Sequence, residues 1–197
     1  RPHDVTAARH DLGLPLDKKL ILFGATGGTR DPRKGFVHLR DALEQLAHSG
    51  VSERYELVIF GQDEPALGSE PPLPARYLGA IHDEARLAAV YSAADVFVGP
   101  SLDEIFGNTV QEALACGTPA VGFSVGGLKD MIRHQDNGYL AQPFDPTDLA
   151  RGIAWVLEDE DRHRRLSAAA RQTVLDQFQL EDIARRYRDL YAELLQD

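Results

Sequence analysis

The stretch P-S-L-D-E-I-F-G-N-T-V-Q-E-A-L-A-C-G-T-P-A-V-G, Pro100–Gly122, decides the fold. An apolar run from Asp95 to Val98 leads into it, a helix-forming run fills its second half, and another apolar run opens at Ala120. That is the pattern of a strand, a loop, a helix and a strand. Gly107 and Asn108 suit a turn or a cap, and Thr109–Cys116 reads continuously as helix. Glu104 is therefore expected in the loop after the first strand, and Glu112, eight residues on, a turn or more down the helix. The amides near Gly107, Asn108 and Thr109 would be unpaired at the helix start and would offer a seat for a phosphate. Each carboxylate can accept two hydroxyl hydrogen bonds, and bonds to an ionised acceptor are stronger than neutral ones. A ligand with hydroxyls at both ends and phosphate in the middle fits this spacing.

Working outward, the same alternation covers the chain. Arg1–Lys19 is polar, punctuated by Pro2 and Pro15, and reads as an irregular interdomain linker. The first strand, Leu20–Phe23, ends in the glycine-rich loop Gly24–Gly35, followed by a helix with Phe36, Leu39, Leu43 and Leu46 on one face. Glycines there allow close backbone approach, and Arg30, Arg33 and Lys34 supply positive charge. The loop lacks both the G-K-[S/T] ending of a Walker loop and the dinucleotide G-x-G-x-x-G spacing. Further strands are expected at Glu56–Phe60, Arg76–Leu78, Asp95–Val98, Ala120–Phe123 and Tyr139–Leu140. Helices are expected at Asp83–Ala93, from Gly126 to Arg133, from Pro146 to Leu157, at Arg162–Leu175 and at Leu180–Leu195. The last spaces Leu180, Ile183, Tyr187, Leu190 and Leu194 at three and four, giving one apolar stripe.

Strands alternating with helices imply an α/β fold, a parallel sheet of about six strands covered on both faces. Ligands of such sheets bind beyond the carboxyl ends of the strands, where strand order reverses. The loops starting at Gly24, Gly79, Gly99 and Val125 should converge there. With 197 residues and 43% hydrophobic content, one well-buried domain is expected. The division is a linker at 1–19, the main domain at 20–178 and a C-terminal helix at 179–197.

A net charge of -10 argues against general binding to nucleic acid or anionic membrane. The single cysteine, Cys116, excludes an internal disulfide framework and reads as a packing residue. Neither a signal peptide nor a long apolar run is present, so the chain is expected to be soluble. Beginning at Arg1, it is read as a piece of a longer protein. Asp159, Glu160 and Asp161 contain D-x-D spacing but lie between two surface helices, where a solvated reading is expected. No histidine or cysteine spacing implies a dedicated metal site.

The run Ser101, Glu104, Phe106, Gly107, Glu112, Ala113, Ala115, Gly117 and Pro119 resembles the signature of retaining glycosyltransferases with two facing Rossmann-like domains, the GT-B class, and among them glycosyltransferase family 4. The resemblance covers the donor-binding, C-terminal half of such an enzyme. It implies a Rossmann-like domain that binds a nucleoside-diphosphate sugar and transfers a hexosyl unit to a hydroxyl acceptor with retention. Glu112 matches the residue that receives the ribose hydroxyls, and Glu104 the one that contacts the transferred sugar. Lys34 matches the lysine of the family's K-G step. The family arginine usually stands five positions before that lysine, where this chain has Thr29; Arg30, one position later, is carried over as the second diphosphate ligand, with Arg33 as its alternative. Glu104, Arg30 and Lys34 are thus the implied catalytic set. The cofactor-type contacts implied are Gly24, Arg30, Lys34, Ile81, Glu104, Phe106, Gly107, Asn108, Thr109 and Glu112. The turn Gly79–His82, with Ile81, is where a nucleobase would rest against backbone; His82 itself reads as a surface residue. Phe106 has a core reading beside one in which its backbone lines the sugar pocket.

The resemblance further implies metal-independent chemistry with no cofactor, a cytoplasmic location and an N-terminal acceptor-binding domain missing from this chain. Peripheral membrane association of the full enzyme is left open. The chain alone is expected to be inactive as a transferase. Competing readings are a phosphorylase-like or sugar-nucleotide-hydrolysing relative, and a nucleotide-sugar-binding module without activity.

Overall fold

A computed structural model describes residues 2–24, 28–64 and 70–195. Residues 25–27 of the glycine-rich loop and 65–69 of the proline-rich loop lie outside that description. Six strands, β1 Lys19–Gly24, β2 Tyr55–Phe60, β3 Ala75–Tyr77, β4 Val96–Gly99, β5 Ala120–Phe123 and β6 Gly138–Ala141, form one parallel sheet in the order β3-β2-β1-β4-β5-β6. The central runs K-L-I-L-F-G and Y-E-L-V-I-F are buried almost throughout. Near-continuous apolar strands of this kind belong to sheets covered on both faces.

Alternate strand residues feed two cores. Ile21, Phe23, Leu57, Ile59, Val98 and Phe123 point to one, closed by helices α2 (Phe36–Leu46) and α6 (Pro146–Leu157). Leu20, Leu22, Val58, Phe60 and Phe97 point to the other, closed by α3 (Glu84–Ala93), α4 (Asn108–Ala115) and α7 (Glu160–Gln177). The short α5 (Leu128–Met131) follows β5, and α8 (Leu180–Leu194) ends the chain. The expected strands and helices are thus found, most within one or two residues of the expected bounds.

The N-terminal segment corrects the linker expectation in part. Val5–Leu12 is a helix, α1, packed on α3. Asp4 accepts a hydrogen bond from the Ala7 amide, and Gly13 closes the helix in the left-handed region at φ 64°. Its polar composition concealed a buried anchor. Arg9, 6% exposed, donates through Nε to the Ala93 carbonyl at 2.9 Å and through Nη2 to Asp95 at 2.7 Å. The same Asp95 oxygen accepts from the Leu20 amide at 2.6 Å, so α1 is tied to the start of β1 and the approach to β4.

The stripe on α8 is present as expected, yet no residue of this helix is buried. Leu180, Tyr187, Leu190 and Leu194 all stand in the open. The D-x-D acids have a local role: Asp159 caps α7 by accepting from the Arg162 amide, and Glu160 and Asp161 sit in its first turn, favourable to the helix dipole.

Removing one partner of a buried ion pair strands the other charge. Arg9→Ala is therefore expected to destabilise the chain by about 3 kcal/mol, read by urea unfolding. A change smaller than about 0.5 kcal/mol, the range of ordinary surface substitutions, would show that α1 is not anchored this way.

Candidate functional site

Strand order reverses between β1 and β4. β1 leads to α2 on one face and β4 to α4 on the other, and the gap between their exit loops is where open α/β sheets place ligands. Here the two loops meet. Gly35 takes φ 69°, and a Cβ there would overlap the Pro100 carbonyl oxygen. The Leu102 amide donates to the Arg33 carbonyl at 2.8 Å. Across this junction Lys34 Nζ lies 2.7 Å from Glu104 Oε2, with side chains 29% and 18% exposed, and Ser101 Oγ donates to the same carboxylate oxygen at 3.3 Å. Behind Glu104, the Gly127 amide donates to its carbonyl at 2.9 Å, and Gly126 leaves no room for a Cβ against that carbonyl. A glycine pair after β5 thus clamps the loop that presents Glu104.

Helix α4 opens beside this pair. Gly107, at φ 92°, is its N-cap and offers no side-chain acceptor. The amide of Gln111 bonds the Gly107 carbonyl, whereas those of Asn108, Thr109 and Val110 have no acceptor among the described residues. Three amides and the positive end of the helix dipole are thereby available to an anion.

The basic cluster divides. Arg33 is spent on Asp31, with Nε at 3.1 Å and Nη2 at 2.8 Å from its carboxylate; this bonding holds the Asp31 carboxyl below the usual range and raises the guanidinium. Arg30 is exposed and lines a cavity of about 250 Å³ with Gly61–Glu64, at the exit of β2. Its turn is set by its neighbour: Thr29 donates through both amide and hydroxyl to Gln62 Oε1, at 2.8 and 2.9 Å.

Glu112 faces α3. It accepts a 2.8 Å hydrogen bond from the Tyr91 hydroxyl, while the carboxylate side of the residue is otherwise exposed. Burial first, then the neighbouring carboxylate, pushes the Tyr91 hydroxyl far above its usual range, so it remains a donor. Ile81 is half-buried and packs on the same core as Tyr91, in a turn whose Gly79 carbonyl accepts from the Gly61 amide at 2.8 Å. His82 is exposed. Phe106 departs from its core reading: it is 43% exposed and meets Phe178 edge-on at 5.9 Å, next to the left-handed Gly107. Gly24 is packed under the Phe60 ring, leaving no room for a Cβ.

Compared with known proteins, residues 4–173 match the family described as glycosyl transferases group 1. The chain belongs to this family. The D-inositol 3-phosphate glycosyltransferase of Xylanimonas cellulosilytica is 37% identical over 198 aligned residues, covering 95% of this chain and 45% of that protein. The sucrose-phosphate synthase of Thermosynechococcus elongatus superposes with a TM-score of 0.83 at 31% identity, over 98% of this chain and 50% of that one. Anabaena HepE, solved with UDP-glucose, shares the fold at a TM-score of 0.78 and 21% identity, over 98% of this chain and 53% of its own. The chain spans about half the length of the relatives it matches. The expected six-stranded Rossmann-like sheet is the one these GT-B glycosyltransferases carry.

Within this group 1 domain, Lys34, Glu104 and Gly107 come together, with Asn108 and Thr109 at the open helix end. Arg30 and Glu112 flank them, on the β2 and α3 sides. Three contributors went unread in the sequence. Gln62 directly follows the Gly61 that ends β2, a position whose only signal was adjacency to a glycine. Gly126 and Gly127 were read only as the start of the helix expected to run to Arg133. Tyr91 lay within the expected helix Asp83–Ala93, where nothing marked its hydroxyl.

Gly35 combines a left-handed backbone with a filled Cβ position. Gly35→Ala is expected to lose about 3 kcal/mol of stability in denaturant unfolding. A variant as stable as the parent would mean the two exit loops are not packed as described.

Proposed function

We propose that this chain is the donor-binding half of a retaining hexosyltransferase that uses a nucleoside-diphosphate sugar. Membership of the glycosyl transferases group 1 family supports the reaction class. One observation carries the site: the Lys34 ammonium, the Glu104 carboxylate and three unpaired amides of α4 occupy the point where strand order reverses. Cation and amides address phosphate; the carboxylate, held from behind by Gly127, addresses hydroxyls.

In this reading the diphosphate lies over the start of α4 with Lys34 beside it. As the bond from anomeric carbon to phosphate breaks, charge grows on the leaving diphosphate and on an oxocarbenium-like ring. Lys34 and the amides of Asn108 and Thr109 bind that charge more strongly in the transition state than in the ground state, which lowers the barrier. Arg30, at the β2 side, adds positive charge if its side chain turns toward the crevice; Arg33, already paired with Asp31, is the weaker candidate. Glu104 orients the sugar hydroxyls while the acceptor attacks from the face the leaving group departs. No metal or cofactor enters this scheme. Glu112 receives the ribose, and the turn with Ile81 backs the base.

The acceptor belongs to the part of the relatives that this chain does not span, so its identity does not pass from them. The open stripe of α8 is the surface offered to that second half, and the chain alone is accordingly proposed to bind donor without transferring it. A cytoplasmic location is proposed with a donor of this class.

Calorimetric titration with uridine, guanosine and adenosine di- and monophosphates, with and without EDTA, is the first test. The expected result is tighter binding of one diphosphate than of its monophosphate, unaffected by chelator. Equal affinities would remove the phosphate seat, and a strict need for magnesium would overturn the metal-free scheme.

The two glutamates separate the ends of the ligand. Glu112→Ala should weaken a ribonucleoside diphosphate and its sugar conjugates alike, by roughly 1 to 3 kcal/mol for a charge-assisted contact. Glu104→Ala should leave the free diphosphate nearly intact and weaken only the correct sugar donor. If Glu104→Ala lost both equally, its assignment to the sugar would fail.

A further inference from the structure

We infer that Tyr91 is the positioning residue of the nucleotide site: its hydroxyl fixes the Glu112 carboxylate so that the remaining acceptor positions meet the two ribose hydroxyls. This rests on the ribose reading of Glu112 and adds a residue to it. An exposed glutamate on a helix samples many rotamers, and a ligand that needs one of them must select it. Among the described residues Glu112 has one side-chain hydrogen-bond partner, and that partner is buried. The Tyr91 ring is 1% exposed and lies edge-on to Phe60 at 5.6 Å and to Phe97 at 5.7 Å. Its carbonyl is held as well, accepting from Thr118 Oγ1 at 2.7 Å. With ring and backbone fixed, the hydroxyl stands at one point, 2.8 Å from Glu112 Oε2.

The geometry has a chemical consequence. A tyrosine hydroxyl beside a carboxylate donates its only hydrogen and takes up one of about four acceptor positions. Glu112 Oε1 and the free lone pair of Oε2 are left, enough for one hydroxyl each. Phenylalanine would satisfy the packing against Phe60 and Phe97 equally well, so the hydroxyl is not explained by the core. The groove between α3 and α4, with Leu87 and Cys116 beside Tyr91 and Glu112, holds about 260 Å³. Its other lining residues are Glu84, Ala88 and Ala115, so besides the Tyr91 hydroxyl the lining side chains bring Glu112 only the weak thiol donor of Cys116.

The test compares each of uridine, guanosine and adenosine diphosphate with its 2′-deoxy counterpart, in the parent chain, Tyr91→Phe, Glu112→Ala and the double variant. For the base that binds, the parent should prefer the ribo form by about ten-fold, a figure set by one hydrogen bond to a charged acceptor. Tyr91→Phe should reduce that preference to about three-fold, while the Kd of the deoxy form changes little and circular dichroism stays that of the parent. In the Glu112→Ala background, Tyr91→Phe should have no further effect. A Tyr91→Phe chain that keeps the full ribo preference while Glu112→Ala abolishes it overturns the positioning role, whatever happens to its melting temperature. A Glu112→Ala chain that keeps the preference overturns the ribose reading, and this inference with it. Equal weakening of ribo and deoxy forms by Tyr91→Phe marks a merely structural tyrosine and also overturns it.

Discussion

Everything at the crevice depends on the absence of a Cβ where the exit loops of β1 and β4 touch. Gly35 lets the backbone turn left-handed against the Pro100 carbonyl, and this brings Lys34 to Glu104 although 70 residues separate them. The same economy appears at Gly107 and Gly127, which open α4 and α5. None of these three glycines can cap its helix with a side chain. Four other helices do the opposite, Asp4, Asp83, Asp145 and Asp159 capping α1, α3, α6 and α7, and Asp31 caps the short turn Pro32–Lys34. The contrast has an electrostatic meaning. An aspartate cap consumes amide donors and sets a negative charge at the positive end of the dipole. At the start of α4 that charge would repel a phosphate and occupy its donors, so the uncapped start there favours an anion.

The fold was legible because its strands are buried on both faces. Runs such as Leu20–Phe23 and Glu56–Phe60 need no partner information to be read as strands, and Gly and Pro mark where each stops. Spacing alone put Glu104 in the loop after its strand, while the roles given to Lys34 and Glu104 came from the resemblance to the glycosyltransferase signature. What escaped reading depends on contacts across the chain. Nothing local in Val5–Leu12 announces that Arg9 will reach Asp95, because the helix is largely polar by composition and its buried guanidinium acts beside a small apolar contact made by Ala8 and Leu12. Arg30 and Arg33 were indistinguishable as charges in a loop; they diverge because Asp31 lies two residues from one and Thr29, bonded to Gln62, sets the turn that carries the other. Phe106 was given a core reading from its type, yet it stands exposed against Phe178, beside the left-handed Gly107.

The α8 helix shows the reverse situation, a pattern plainly readable that the described residues leave unburied. Its stripe of Leu180, Tyr187, Leu190 and Leu194 has the spacing of a core face but buries nothing. A helix gains most of its stability from packing such a face rather than from propensity. Here the i,i+3 pairs Asp182 with Arg185 and the first-turn acids Glu181 and Asp182 support it locally. Those contributions are small, so the free-energy gain still open to this helix is the burial of its stripe, and it becomes available only on contact with a further surface.

The proposed chemistry also has to account for an ion pair already made. Lys34 and Glu104 satisfy each other at 2.7 Å in a partly exposed setting, where a pair of this kind contributes about 1 kcal/mol or less. That weakness suits the reading. A diphosphate offers the ammonium a stronger partner than one carboxylate, and the sugar hydroxyls offer Glu104 donors to replace the ammonium it gives up. Repulsion between diphosphate and Glu104 remains the cost, and it falls if the carboxylate turns from the phosphate toward the sugar. The Ser101 hydroxyl and the Gly127 amide hold the Glu104 side chain and carbonyl at separate points, so the carboxylate can rotate about its side-chain torsions while the backbone stays in place. Free diphosphate without sugar leaves Glu104 with no new donor, which makes the intact donor, rather than the product diphosphate, the ligand that relieves every charge in the crevice.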